Sequence, residues 1–234
     1  MIQEGRTMIL LHGSEKIVER PSLAGGKAFN DYGCGFYCTR EEETAREWAC
    51  KNDTNGFVNR YEWREDNMRV LHLDDPEHTV LEWMAILLQN RIFRVSSAIA
   101  RQTREYIVDR FSIDTGEYDA IVGYRADDSY FLFAQDFLDN AISLQDLGKA
   151  LKLGELGVQT VLVSERAFEQ LTFLGAEPVD RSEYYHRFAE RDNRARRTYR
   201  EMREKNWSGA FARGQVFAID ILREEMKSDD PRLR

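Results

Sequence analysis

Apolar and polar positions along the chain alternate between short β-prone runs and longer helical stripes. "TMILLH" (7–12) and "GFYCT" (35–39) are apolar runs bounded by turn residues, which predicts two short strands. Between them "PSLAGGKAFNDYG" carries the glycines and polar residues of a loop. Thr39 and Glu42 have capping-box spacing, so a helix is expected to start there and to carry "REEETAREWACK". "GFVNRYEW" and "MRVLHL" predict two further strands. From about 77 to 112 the period is helical, with Leu81, Met84, Leu87 and Leu88 on one stripe. "DAIVGY" (119–124) returns to strand, and "VQTVLVS" (158–164) is nearly continuous in apolar and β-branched residues. "DDSYFLFAQDFL" and "SLQDLGKALKL" read as helices.

From about 181 the character changes. Tyr185, Phe188, Ala195, Tyr199 and Met202 fall on one helical face, and eight arginines crowd the rest of 181–204. The pattern therefore predicts an α+β domain over 1–180 and a helical C-terminal extension over 181–234 packed on it. No internal repeat interrupts it.

Composition narrows the function. Hydrophobic content of 42% supports a real core, and four prolines in 234 residues argue against long linkers. The apolar run at the N-terminus is too short for a signal peptide and no stretch reaches membrane-span length, so a soluble, cytoplasmic protein without a membrane partner is expected. A formal charge of −8 argues against binding nucleic acid through bulk charge. A local ridge is left open: Arg187, Arg191, Arg194 and Arg197 recur every three to four residues, with Tyr184 beside them as a stacking surface. Cys34, Cys38 and Cys50 are an odd number without the paired C-x-x-C spacing of zinc sites, so neither a disulfide framework nor a metal is expected.

The densest chemistry lies in "NDYGCGFYCTREEETAREWAC" (30–50). Tyr37 and Trp48 are eleven residues apart, a strand end and about three helical turns, which can bring two aromatic faces around one pocket. Gly33 and Gly35 keep the nearby backbone thin, so a planar ligand fits between the rings. Upstream, "LLHGS" sets His12 at a strand end, and Gly13 leaves its amide and carbonyl open to a planar amide-bearing ring such as nicotinamide. Each residue also has a plain structural account: a satisfied strand-end histidine, core aromatics, a helix-capping threonine.

"LHGS", "DYGCGFYCT" and "TAREWAC" resemble the first two signatures of the diphtheria-toxin and poly-ADP-ribose-polymerase branch of the ADP-ribosyltransferase superfamily. More closely, with "YDAIVGYRADDSYF" and "LGVQTVLVSERAF", the chain resembles a bacterial domain family of unknown function placed in that superfamily, over roughly residues 8–180. The resemblance implies an α+β fold with a split β-sheet core, helical insertions and a helical C-terminal extension. It also implies an enzyme that uses NAD as co-substrate, breaks the nicotinamide–ribose bond and passes ADP-ribose to a macromolecule.

Carried over, His12 would bond an adenosine-side ribose hydroxyl, Gly13 would clamp the carboxamide and Ser14 would complete that segment. Tyr37 would line the nicotinamide and Trp48 would stand where the second stacking aromatic stands. Thr39 takes a position often held by a small or hydroxyl residue. The carboxamide-binding serine of the polymerases aligns with Ala45, which leaves Thr44 as its substitute. The third signature, usually a glutamate, falls on Gln159; Glu155, Asp127 or a target-side group would then bring the missing charge. His12, Tyr37 and Gln159 are thus the expected catalytic set. The acceptor is unspecified, protein being favoured over nucleic acid, and a toxin role would imply a neutralising antitoxin partner. An NAD glycohydrolase, and a binding module that has lost turnover, remain alternatives.

Overall fold

The structure, a computed structural model, describes residues 6–26, 28–95, 97–126, 128–153, 157–208 and 214–234. In chain order it contains β1 (Thr7–Ser14), β2 (Phe36–Cys38), α1 (Glu42–Ala49), β3 (Gly56–Arg64), β4 (Val70–His72), α2 (Val80–Asn90), α3 (Ala98–Phe111), β5 (Ala120–Tyr124), α4 (Asp128–Leu138), α5 (Leu144–Ala150), β6 (Val158–Leu162), α6 (Glu165–Glu169), β7 (Leu171–Val179), α7 (Arg181–Ser208) and α8 (Ala218–Arg223). This is a mixed α+β protein with two sheets, ordered β1-β3-β7 and β2-β6-β5-β4. No helix among the described residues is long and apolar enough to cross a membrane.

Two compact units interleave along the sequence. The first comprises residues 1–72, 115–123 and 157–191, and holds both sheets with α1, α6 and the start of α7. The second comprises 73–114, 124–156 and 192–234, and is helical.

In the sheet unit, β1 pairs antiparallel with β3 over eight residues, from Thr7↔Arg64 to Ser14↔Phe57. Leu10, Phe36, Cys38, Tyr61, Trp63 and Leu162 form one buried core, and the indole N–H of Trp63 donates to Ala167 O at 3.0 Å. Leu11, Ala45, Ala49, Cys50, Val58 and Tyr184 form a second. Strand β7 is absent from the sequence expectation: Gly175 and Pro178 break its β pattern. It forms because an edge strand tolerates both, Gly175 taking φ +148° at the register shift opposite Arg60/Tyr61 and Pro178 facing Phe57.

The helical unit corrects the long stripe over 77–112. It breaks into α2 and α3, and α2 buries Trp83, Ala85 and Ile86 as well as Leu81, Met84, Leu87 and Leu88, so it is a core helix apolar all round. Thr79 and Glu82 form the capping box that starts it. Tyr199, on α7, donates to Asp136 Oδ2 at 2.7 Å.

The expected capping box of Thr39 is also corrected. α1 starts at Glu42 behind Glu41, which gives no side-chain cap, and Thr39 Oγ1 instead accepts the Glu41 N–H at 3.1 Å. The hydroxyl closes a turn two residues long, a local bond that competes with helix initiation.

Candidate functional site

Everything at the site follows from how β1 meets β2. A single bridge joins them: Leu11 N–H donates to Thr39 O at 2.8 Å and Thr39 N–H to Leu11 O at 2.9 Å. One residue further, His12 Nδ1 lies 2.7 Å from the main-chain oxygen of Tyr37. A carbonyl only accepts, so Nδ1 carries the hydrogen and Nε2 is an acceptor in the neutral ring. The imidazole leans on Phe36, centroids 4.4 Å apart. Burial pushes its pKa below 6.5, and the bond to Tyr37 only partly opposes that. His12 is a neutral hydrogen-bond acceptor.

That burial has a pH signature. With the folded pKa lowered, the unfolded chain takes the proton first as pH falls. The stability His12 contributes is present above its ordinary value of 6.5 and is lost as pH falls through that value toward the folded pKa. His12→Gln is therefore expected to flatten the drop in Tm between about pH 7.5 and 5. Identical slopes for parent and variant would refute a buried neutral imidazole.

Gly13 follows on β1. Side-chain and main-chain directions repeat every two residues, so its N–H and C=O face the edge to which Leu11 directs its own, away from β3. The bridge to Thr39 ends at Leu11, and beyond it this edge offers a donor and an acceptor side by side. A Cβ at Gly13 would lie 1.9 Å from Ala45 O and 2.8 Å from Trp48 Cβ, so β1 runs against the backbone of α1. Gly13 and Trp48 are thus brought together. Ala45 is buried beneath Gly13, and Thr44, also buried, precedes it in the first turn of α1.

On the four-stranded sheet, Tyr37 lies opposite Val161 and Cys38 opposite Thr160. The two-residue period puts Gln159 on the same sheet face as Val161 and Tyr37. Over that face lies the loop before β2. Tyr37 donates its hydroxyl to Gly33 O at 2.8 Å and accepts the Tyr32 N–H at 3.0 Å. Gln159, only 2% exposed, donates Nε2–H to Asp31 Oδ2 at 3.3 Å. His12, Gly13, Tyr37, Thr39, Trp48 and Gln159 therefore sit on elements joined by direct contacts.

Ser14 is engaged elsewhere: its hydroxyl donates to Lys16 O and accepts from Asn59 Nδ2 at 3.1 Å. Two neighbours of the candidate site escaped the sequence reading. Asn59, fully buried on β3, sets Nδ2 3.1 Å from His12 O and accepts Val18 N–H at 2.8 Å on Oδ1, fixing the strand end that carries His12. Its signal was a polar residue inside an apolar strand. Asp31 carried none. Of the residues considered as charge donors, Asp127 and Glu155 lie outside the described residues.

The cysteines do not converge: Cys34 is exposed, while Cys38 and Cys50 belong to the two separate cores, where burial pushes both thiols up. Among the described residues, neither they nor His12 belong to a group of three metal donors. What the site offers is an imidazole acceptor, a main-chain donor–acceptor edge, two aromatics and an amide beside a carboxylate. Such a set recognises hydroxyls and a planar amide.

The family described as "Protein of unknown function (DUF3990)" matches residues 8–173, more than two thirds of the chain. The chain belongs to that family. The matched segment contains every residue of the candidate site, from His12 to Gln159. No curated protein and no solved structure matches significantly.

Proposed function

We propose that this chain is an NAD-dependent ADP-ribosyltransferase built on the split sheet of that superfamily, acting in the cytoplasm on a macromolecular acceptor. The observation that carries the reading is the contact of His12 with Tyr37 across the β1–β2 bridge, with Gly13 presenting its open main-chain edge next to it. Two motifs of the resemblance, 25 residues apart at His12 and Tyr37, then act on one ligand. Gly13 pairs with the nicotinamide carboxamide, Tyr37 and Trp48 flank the ring, and His12 Nε2 accepts from a ribose hydroxyl. As nicotinamide leaves, positive charge builds on the ribose, and a group holding the nicotinamide-ribose hydroxyl stabilises it. Gln159 holds that position with an amide in place of an acid.

That amide also favours a second reading, a module that binds NAD without turnover. Purified protein incubated with NAD labelled on the adenosine side separates the readings. Label on a macromolecule together with released nicotinamide supports transfer, free ADP-ribose supports hydrolysis, and binding without release supports the module. For a transferase with a toxin role, a neutralising protein partner is expected. Tyr37→Ala and Trp48→Ala are each expected to weaken NAD binding roughly 3- to 10-fold, the loss of one stacking wall at about 0.5–1.5 kcal/mol. Thermal-shift titration measures it. Folded variants that both bind as the parent does would exclude the two-wall pocket.

A further inference from the structure

We infer that Asp31 is a positioning residue for the proposed reaction, its carboxylate orienting and polarising the Gln159 amide so that the pair stands in for a single catalytic acid. The inference rests on the transferase reading above. Gln159 reaches Asp31 across 128 residues of sequence, with Nε2 3.3 Å from Oδ2. An ionised carboxylate only accepts hydrogen bonds, so its side fixes Nε2 and turns Oε1 away from Asp31. The amide therefore has one orientation, with Oε1 on the side away from Asp31, and the ribose hydroxyl of the proposed substrate donates to Oε1.

A neutral amide alone holds the hydroxyl but leaves the developing positive charge without a counter-charge. The carboxylate behind it changes this in two ways. Through the N–H···O bond it draws the amide toward its charge-separated form and makes Oε1 more negative. Its own charge also stands one amide length behind the hydroxyl, within Coulombic range in a site where Gln159 is almost wholly removed from water.

The carboxylate is held for this. The turn closed by Gly33 N–H on Asn30 O at 3.0 Å carries Asp31, and the Tyr37 hydroxyl pins the same turn at Tyr32 N–H and Gly33 O. Tyr37 thus lines the pocket with its ring and fixes Asp31 with its hydroxyl.

The test is nicotinamide release by the full chain, with NAD affinity followed by thermal-shift titration. Asp31→Asn keeps the size and an acceptor but removes the charge. It is expected to lower kcat about 10- to 100-fold with NAD affinity within about 3-fold of the parent, the mark of an interaction realised in the transition state. Gln159→Glu next to an intact Asp31 sets two carboxyls together, so one pKa rises and the pH–rate profile shifts to higher pH. The double variant Asp31→Asn/Gln159→Glu moves the charge to position 159 and is expected to recover the parent's kcat and lose that shift.

A purely structural Asp31 would give the shift, which needs only two adjacent carboxyls, but not the recovery. Full turnover in Asp31→Asn, or a double variant as slow as Asp31→Asn, overturns the inference and leaves the transferase reading standing. A parent that binds NAD but releases no nicotinamide overturns both.

Discussion

Gly13→Ala and Gly56→Ala are each expected to destabilise the protein by about 3 kcal/mol, a Tm drop of roughly 6–12 °C. The two glycines lie where α1 presses its backbone onto the β1–β3 pair. A Cβ at Gly13 would be 1.9 Å from Ala45 O and 2.7 Å from Ala49 N; one at Gly56 would be 2.1 Å from Ala49 O and 2.8 Å from Ser14 O. These obstacles are main chain and cannot turn aside as a side chain can. Relief requires α1 to lift from the strands, which opens the buried cluster of Leu11, Ala45, Ala49 and Val58.

Gly148→Ala is the matched control. Its Cβ would meet only Val80 Cγ2 at 3.9 Å, inside helix α5, so it is expected to stabilise by about 0.5–1 kcal/mol. Gly13→Ala is also expected to weaken NAD binding, because Trp48 rides on α1. Gly13→Ala melting within about 2 °C of the parent would show that the helix can lift at little cost, and the close packing behind the site would lose its importance.

The elements legible in the sequence are those whose apolar pattern is decided locally. β1, β3 and β6 are dense in β-branched and apolar residues, and their runs coincide with the strands. β7 was hidden because its strand character comes from its partner: β3 offers an open edge, and an edge accepts Gly175 and Pro178. Thr39 misled for the opposite reason, since the same hydroxyl suits a capping box or a turn and the bridge to Leu11 selected the turn. At the candidate site, the contacts of His12, Gly13, Tyr37 and Trp48 were foreshadowed because these residues stand in short motifs. Asp31 and Asn59 were not, because each acts on a distant segment, Gln159 in one case and Val18 in the other. A loop aspartate becomes chemistry only when the fold brings an amide to it.

The arginines of α7 show the same division, and they carry the other large effect. Arg191→Ala is expected to cost about 3 kcal/mol or more, whereas Arg194→Ala and Arg197→Ala stay within about 0.5 kcal/mol of the parent. Arg191 directs Nε, at 2.8 Å, and Nη2 onto one oxygen of Glu47, and both side chains are nearly buried, at 12% and 9% exposure. Without the guanidinium, Glu47 is left as a charge away from water. Arg187 pairs with Glu43 and Glu183 in the open, where solvent screens both contacts. Tyr184, a stacking surface in the sequence reading, is instead buried in the Leu11–Val58 cluster, with the Arg187 guanidinium 4.9 Å over its ring.

The ridge therefore splits. Arg187 and Arg191 clasp α1, the helix of Trp48, and of the four only the exposed Arg194 and Arg197 would be open to the proposed acceptor without a cost to the fold. Denaturant melts of the three alanine variants give the order of stabilities. Glu47→Gln/Arg191→Met, which removes both charges, is expected to recover part of the loss seen in Arg191→Ala. Arg194→Gln/Arg197→Gln is then expected to leave nicotinamide release unchanged while lowering transfer of ADP-ribose to the acceptor. If Arg191→Ala melts with the parent, the Glu47 contact does not hold α7 to α1, and all four arginines return to the acceptor-binding candidates.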